Sequence, residues 1–229
     1  MEIVPALVCA LLGLAVSPLV ARLVADPPLR EPSDERFVDL EDRPLLVVAA
    51  LCTALSAGVM GGRLGWIWPL VPVLVMIPGL VVMSLVDLTV YRIPDKVLRP
   101  TLLVSVVLIV VVSAAEDAMG AVPWALGAAL GAFAFMAIPS LIYPGGLGWG
   151  DVKMTALTGL FLGWFGWSST QAIDAVRLTL VGLVAACVLF VVVGLIIRLA
   201  RGRRTPFPFG PALAVATLAG IGWAADILG

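Results

Sequence analysis

Residues 64–87 read LGWIWPLVPVLVMIPGLVVMSLVD, a run of 23 uncharged residues that ends directly at an aspartate. About 20 apolar residues are enough for an α-helix to cross the hydrocarbon core of a bilayer. The run therefore predicts a transmembrane helix over 64–86, with Asp87 at one end of it. The rest of the chain must fit a fold that accommodates such a helix.

The remaining sequence repeats this apolar pattern. Hydrophobic residues make up 62% of the 229 residues and charged residues only 13%, about half the usual proportion of about 25% in a soluble domain. We expect the second and sixth of eight apolar runs to be short, and Gly61-Gly62 to form a turn. The runs predict an all-α polytopic membrane helical bundle with about eight transmembrane helices, over 3–24, 45–60, 64–86, 100–115, 121–143, 154–167, 178–199 and 209–227.

Composition excludes several functional classes. The net charge of −1 gives no electrostatic basis for binding nucleic acid. There is no histidine, and the three cysteines lie far apart inside apolar runs, so we expect no Cys/His metal site, no disulfide framework and no cofactor. Acid–base chemistry would have to come from carboxylates, lysine or tyrosine.

The basic residues indicate the orientation of the chain. Short loops rich in Lys and Arg face the cytoplasm, and every second predicted loop holds such residues. We therefore expect these loops to be cytoplasmic and in contact with membrane lipids, and both termini to lie outside. The loops contain 12 of the 14 basic residues: Arg22, Arg30, Arg36, Arg43, Arg92, Lys96, Arg99, Lys153, Arg198, Arg201, Arg203 and Arg204.

Two aspartates are the leading candidates for chemistry. Asp87 follows one predicted span directly, Asp151 closely precedes another, and the two spans between them return the chain to the same side. Two carboxyl groups held close share one proton, which supplies a base to activate water and an acid to protonate a leaving nitrogen. We interpret them as the catalytic pair of an intramembrane aspartic protease. If Asp151 begins a helix, the helix N-terminus favours its ionised form and makes it the base.

Other readings of the same residues remain open. Paired membrane carboxylates also serve proton-coupled transporters, although transporters place such groups near the midplane within a repeated fold. A catalytically inactive scaffold is a further alternative. The glycines that precede Asp151, including Gly148 and Gly150, either form a flexible turn or let a substrate backbone approach closely.

Three motifs resemble those of the type IV prepilin peptidases, a family of GxGD intramembrane aspartic proteases. Residues 87–95, DLTVYRIPD, are similar to its first aspartate motif, residues 148–153, GWGDVK, to its GxGD motif, and residues 208–211, PFGP, to a stretch that begins its last span. The resemblance implies that Asp87 and Asp151 are catalytic. It implies substrate-binding or supporting roles for Arg92, Pro94, Asp95, Gly148, Gly150, Lys153, Pro208, Gly210 and Pro211.

The resemblance also implies a reaction and a location. Such enzymes cleave the N-terminal leader of type IV prepilins or pseudopilins at the cytoplasmic face of the bacterial inner membrane, where pilus or secretion assembly proteins are further candidate partners. Residues 1–44 would form an N-terminal transmembrane helix with a polar cytoplasmic loop, and 45–229 the peptidase-like domain. Longer members also methylate the product and hold a cysteine-rich zinc segment. Because 26–43 contain no cysteine, we expect a short form without methyltransferase activity.

One rival lies within proteolysis. Presenilins and signal peptide peptidases share the GxGD motif, and residues 211–213 read PAL, which is similar to another of their motifs. Their first aspartate follows a tyrosine, whereas Val86 precedes Asp87 here. The prepilin peptidase resemblance therefore matches more of the chain.

Overall fold

The computed structural model describes residues 1–25, 42–142, 148–167, 171, 173–201 and 208–229. Across these residues the secondary structure is helical, with no strand. The helices in chain order are α1 Ile3–Ala25, α2 Asp42–Leu64, α3 Leu70–Val90, α4 Asp95–Ala115, α5 Ala121–Ile142, α6 Trp149–Phe165, α7 Ile173–Arg201, α8 Gly210–Gly222 and α9 Ala224–Leu228.

Each of the first eight helices overlaps one of the predicted spans, which confirms the polytopic helical bundle. Six of them, α1 to α5 and α7, are long and apolar enough to cross a membrane. The other two are shorter, since α6 has 17 residues and α8 has 13. The last predicted span is divided, because the chain leaves the helical conformation at Trp223 between α8 and α9.

The prediction that the second span is short and followed by a turn at Gly61-Gly62 is wrong. α2 has 23 residues and runs through both glycines. Gly61 instead allows a close approach to α1, because a Cβ atom there would lie 2.6 Å from the carbonyl oxygen of Pro5. The chain turns a few residues later at Gly65, whose φ of +69° suits glycine.

The chain divides into two compact units, Met1–Val122 and Pro123–Gly229. The first contains α1 to α4. α1 and α2 pack closely through small residues, as is common between membrane helices; a Cβ atom on Gly13 would lie 2.6 Å from the carbonyl oxygen of Thr53. α3 packs against α1, α2 and α4 and is the most buried of the candidate spans.

The connection between α3 and α4 differs from the prediction at both ends. α3 continues to Val90 and α4 begins at Asp95, so both helices extend beyond the apolar runs that defined the predicted spans. The reason is that a loss of hydrophobicity does not itself end a helix. α3 ends where Tyr91 adopts a left-handed conformation with φ of 54°, and Pro94 precedes the first turn of α4.

The second unit is built around α6. On one side, Gly159 lies so close to α5 that an added Cβ atom would meet the carbonyl oxygen of Ala128. On another side, the Leu162 side chain packs against Gly182 of α7 and Gly220 of α8. α7 and α8 also contact each other, and α9 returns to both.

Some predictions concern residues outside those that the structure describes. They include most of the polar loop predicted over 26–43 and Gly145 and Gly146 of the glycine-rich segment. The predicted division of the chain at residue 44 stays a prediction.

Candidate active site

Asp87 lies in the last turn of α3. The prediction that it directly follows the helix is wrong. Its side chain belongs to the buried face of α3, and the residue is only 3% exposed. The helix ends directly beyond it, where the backbone N–H of Tyr91 donates to the carbonyl oxygen of Asp87 at 2.9 Å. A carboxyl group is therefore held inside an apolar helix, close to its end. Such residues are costly in membrane proteins and are mostly functional.

The other residues of this first motif lie in the α3–α4 connection. Arg92 is exposed and Pro94 is half-buried. Asp95 is the first residue of α4, and its carboxylate pairs with the Arg99 guanidinium at 2.9 Å, one turn along the helix. Both side chains are substantially exposed, and pairs of this kind stabilise a protein by no more than about 1 kcal/mol. Asp95 therefore has a structural partner of its own at the helix start.

Asp151 lies in the first turn of α6. α6 begins at Trp149, ahead of the predicted span start at 154, because the glycines before Asp151 do not prevent the first turn from forming. The condition stated for Asp151, that it begins a helix, is met, so the partial positive charge of the N-terminus acts on its carboxylate. Its Oδ1 atom is shielded from solvent.

Gly148 and Asp151 are in close contact across this first turn. Gly148 precedes the helix with φ of −68° and ψ of 137°, a conformation open to any residue. A Cβ atom at position 148, however, would lie 3.1 Å from Oδ2 of Asp151. The glycine therefore leaves room for the carboxylate to fold back over the helix start. Gly150 and Lys153, in the same turn, are half-buried.

The PFGP segment forms the start of α8. Pro208, Phe209 and Gly210 are buried, and Pro211 occupies the first turn, where its missing N–H group has no helical partner to lose. The Phe209 ring packs edge to face on Phe190 of α7, with ring centroids 5.4 Å apart. This aromatic contact joins the start of α8 to α7.

α6 and α8 run in the same direction and bring two motifs to the same end of the second unit. The hydroxyl groups of Thr158 and Thr217 lie 2.9 Å apart. Farther along both helices, Leu162 contacts Gly220. The contacts therefore follow the same order along α6 and α8. Counting back seven residues from the threonine pair gives Asp151 on α6 and Gly210 on α8. Both residues lie about 10 Å before the threonine pair along their own helices.

The arrangement separates the predicted residues into two groups. Asp87, Arg92, Pro94 and Asp95 belong to the first compact unit, and the residues of the GWGDVK and PFGP motifs belong to the second. Within the second unit, the two motifs lie at the N-terminal ends of parallel helices. Among the described residues, no group of three or more His, Cys, Asp or Glu side chains is placed to hold a metal ion.

Sequence reasoning missed the buried threonines of this unit. Thr155, Thr158 and Thr217 are each at most 1% exposed. Thr155 follows Asp151 by four residues, and Thr158 follows Thr155 by three. This spacing places all three on one face of α6. That spacing of hydroxyl groups within an apolar helix was the available signal.

Comparison with known proteins gives a consistent result. Residues 74–199, more than half of the chain, match the type IV leader peptidase family, and this range includes Asp87 and Asp151. The chain is also similar to proteins named prepilin leader peptidase/N-methyltransferase. It is 30% identical over 191 residues to the one from Pseudomonas aeruginosa, covering 78% of this chain and 57% of that protein.

Two further relatives have the same name. The identity is 32% over 187 residues for the protein from Aeromonas hydrophila, covering 78% of this chain and 57% of the relative. It is 29% over 180 residues for the protein from Bacillus subtilis, covering 74% and 62%. The chain thus spans less than two thirds of the length of each. No solved structure matches it.

Proposed function

Because the chain belongs to the type IV leader peptidase family, we propose that it is a membrane aspartic endopeptidase that removes the N-terminal leader from type IV prepilins or pseudopilins. The observation that carries the proposal is the position of Asp87, a carboxyl group only 3% exposed inside an apolar helix. Asp87 lies within the matched residues, together with Asp151, which begins another helix. The names of the relatives support the choice of substrate.

The proposed mechanism assigns one role to each aspartate. Asp151, at the N-terminus of α6, is the base, because the helix end favours its ionised form. It removes a proton from a water molecule, whose oxygen attacks the carbonyl carbon of the scissile peptide bond. Asp87 is the acid and gives its proton to the amide nitrogen as the carbon–nitrogen bond breaks. The two carboxyl groups together complete the proton transfers that peptide hydrolysis requires.

The proposed location is the bacterial inner membrane, with the two aspartates at the cytoplasmic face. The alternation of basic residues along the sequence supports this orientation, and pilus or secretion assembly proteins are the proposed partners besides lipids. Lys96 is exposed and directly follows the first motif, so labelling at this position tests the orientation. A Lys96→Cys variant should react with a membrane-impermeant maleimide in inverted vesicles and not in intact spheroplasts; the opposite pattern would overturn the orientation.

The proposal is limited to proteolysis. Residues 26–43 contain none of the cysteines that the zinc segment of longer members uses, which supports a peptidase without methyltransferase activity. Mass spectrometry of a pilin processed in cells that lack any other candidate methyltransferase should show an unmethylated N-terminus. A product heavier by one methyl group would contradict this part of the proposal.

The cleavage reaction itself is tested with purified protein in lipid nanodiscs and a prepilin that retains its leader. Wild-type protein should release the leader at a single site, and Asp87→Asn and Asp151→Asn should each abolish release. Asp174→Asn is the matched control, because Asp174 is also a buried aspartate in the first turn of a helix but lies outside the motifs. Cleavage by either motif variant, or loss of cleavage in the control alone, would refute the assignment.

A further inference from the structure

Residues at helical spacing line the faces of α6 and α8 that meet each other, and all of those named below are buried except Asp151, which is half-buried. One row on α6 begins at Asp151 and continues through Thr158 to Leu162, while the row on α8 begins at Gly210 and continues through Thr217 to Gly220. The contacts Thr158–Thr217 and Leu162–Gly220 join the rows. Asp151 therefore begins the same row of α6 residues that holds α8.

We infer that Thr158 and Thr217 are positioning residues for Asp151. Their hydroxyl pair fixes the axial register of α8 against α6. The register determines which residues at the start of α8 lie beside the Asp151 carboxylate. The inference rests on the proposed function, since it gives these threonines a role in peptide cleavage. Neither residue belongs to any of the three motifs.

The hydrogen bonds form a directed chain between the helices. Thr217 Oγ1 lies 2.7 Å from the carbonyl oxygen of Leu213, one turn earlier in α8. A threonine hydroxyl has one proton to donate, and Thr217 uses it in this bond. Thr158 then donates to Thr217 across 2.9 Å, because its distance to the carbonyl oxygen of Met154 in its own helix is longer, at 3.4 Å. The bond between helices thus satisfies the Thr158 donor.

The Thr158–Thr217 hydrogen bond is directional and therefore favours one register of α8 against α6. Leu162 packs against Gly220 one turn farther along, and the hydroxyl pair adds a contact that holds only while the two oxygens stay within hydrogen-bonding distance. The hydroxyl pair lies seven residues from Asp151 and from Gly210, which is about 10 Å along each helix. A slip of a single residue would move α8 by about 1.5 Å along its axis and turn it by about 100°.

A displacement of that size matters for catalysis. A misplacement of about 1 Å at an active site costs about 100-fold in rate even when the altered residue lies far from the reacting atoms. We therefore expect the threonine pair to affect kcat while leaving substrate binding, and hence KM, nearly unchanged. A threonine that only stabilises the fold would lower apparent kcat through a smaller folded fraction, so kcat is expressed per folded protein, measured by unfolding on the same preparation.

The test compares four variants with wild type in the purified, nanodisc-embedded full chain. Thr217→Val and Thr158→Val keep the side-chain shape and remove the hydroxyl, and each should lower kcat at least tenfold. Thr217→Ser retains the hydroxyl and should stay within twofold of wild type. Thr179→Val is the matched control, because Thr179 is buried in α7 and makes the same bond within its helix, to the carbonyl oxygen of Ala175 at 2.7 Å. It should also remain within twofold.

Crosslinking measures the register without relying on activity. In a variant with its three cysteines replaced by alanine, Asp151→Cys and Gly210→Cys should be joined by a short bis-maleimide far more efficiently than Asp151→Cys and Ala216→Cys. Adding Thr217→Val should lower the yield of the first pair at least threefold. Unchanged yield, or unchanged kcat in both valine variants, would overturn the inference. Failure of the wild-type protein to cleave would instead refute the proposed function, and the crosslinks would still decide the register.

Discussion

Replacing Gly148 with alanine perturbs Asp151 with minimal change elsewhere. The backbone at 148 has φ of −68° and ψ of 137°, which alanine adopts without strain. Its Cβ atom, however, would lie 3.1 Å from Oδ2 of Asp151. That is shorter than ordinary van der Waals contact, so the carboxylate has to move by a few tenths of an ångström. Gly148→Ala is therefore a small, directed displacement of the proposed base.

The size of the effect follows from the size of the displacement. If 1 Å of misplacement costs about 100-fold in rate, a shift of about 0.3 Å predicts a loss of about fourfold in kcat. The loss should fall on kcat, because the displaced carboxylate acts in the chemical step. Stability should fall by no more than about 2 kcal/mol, the upper end of the range for placing alanine at a helix N-cap.

The assay is steady-state cleavage of a prepilin substrate, with thermal unfolding measured on the same preparation. Gly131→Ala is the matched control, because a Cβ atom at that position in α5 meets nothing within 4 Å. The control should match wild type in kcat, and its unfolding temperature should be unchanged or higher, because alanine favours a helix interior over glycine by about 0.5–1 kcal/mol. Wild-type kcat in Gly148→Ala, or an equal loss in Gly131→Ala, would refute the reasoning that the Asp151 carboxylate acts from the observed position.

Two further predictions concern the packing of each unit. Leu162→Ala should lower stability by about 2–5 kcal/mol, because this fully buried side chain fills the space against Gly182 and Gly220; a loss below about 1 kcal/mol by denaturant unfolding would contradict that packing. Gly79→Ala should cost about 1–3 kcal/mol, since its Cβ atom would lie 2.5 Å from Oγ1 of Thr101. Adding Thr101→Ala should recover at least half of the loss, and no recovery would show that the contact is misassigned.

Hydropathy alone predicted the helices, because a membrane demands long apolar segments with internally paired backbone groups. It did not predict where the helices end. Asp87 marks the end of an apolar run, yet α3 continues to Val90, because a helix requires backbone hydrogen bonds and tolerates polar residues. The sequence left open whether Asp151 begins a helix: the predicted span starts at 154, whereas α6 starts at Trp149.

Features that depend on a partner helix were beyond the sequence pattern. Gly61-Gly62 has the local composition of a turn, but Gly61 is required by the approach of α1. Thr158 and Thr217 meet across 59 residues of chain, so no periodicity within one helix could pair them. The motifs identified the chemically important residues, while the contacts that hold Asp151 in place emerged only from the fold.

The central claim is that Asp87 and Asp151 act as one catalytic unit, and a double-mutant comparison tests it most directly. Residues that act together give strongly non-additive losses of rate. We predict that Asp87→Asn and Asp151→Asn each lower kcat/KM for leader cleavage by at least about 10⁴-fold, and that the double variant is no slower than either single variant. Substantial cleavage by one single variant, or losses that multiply in the double variant, would contradict the claim.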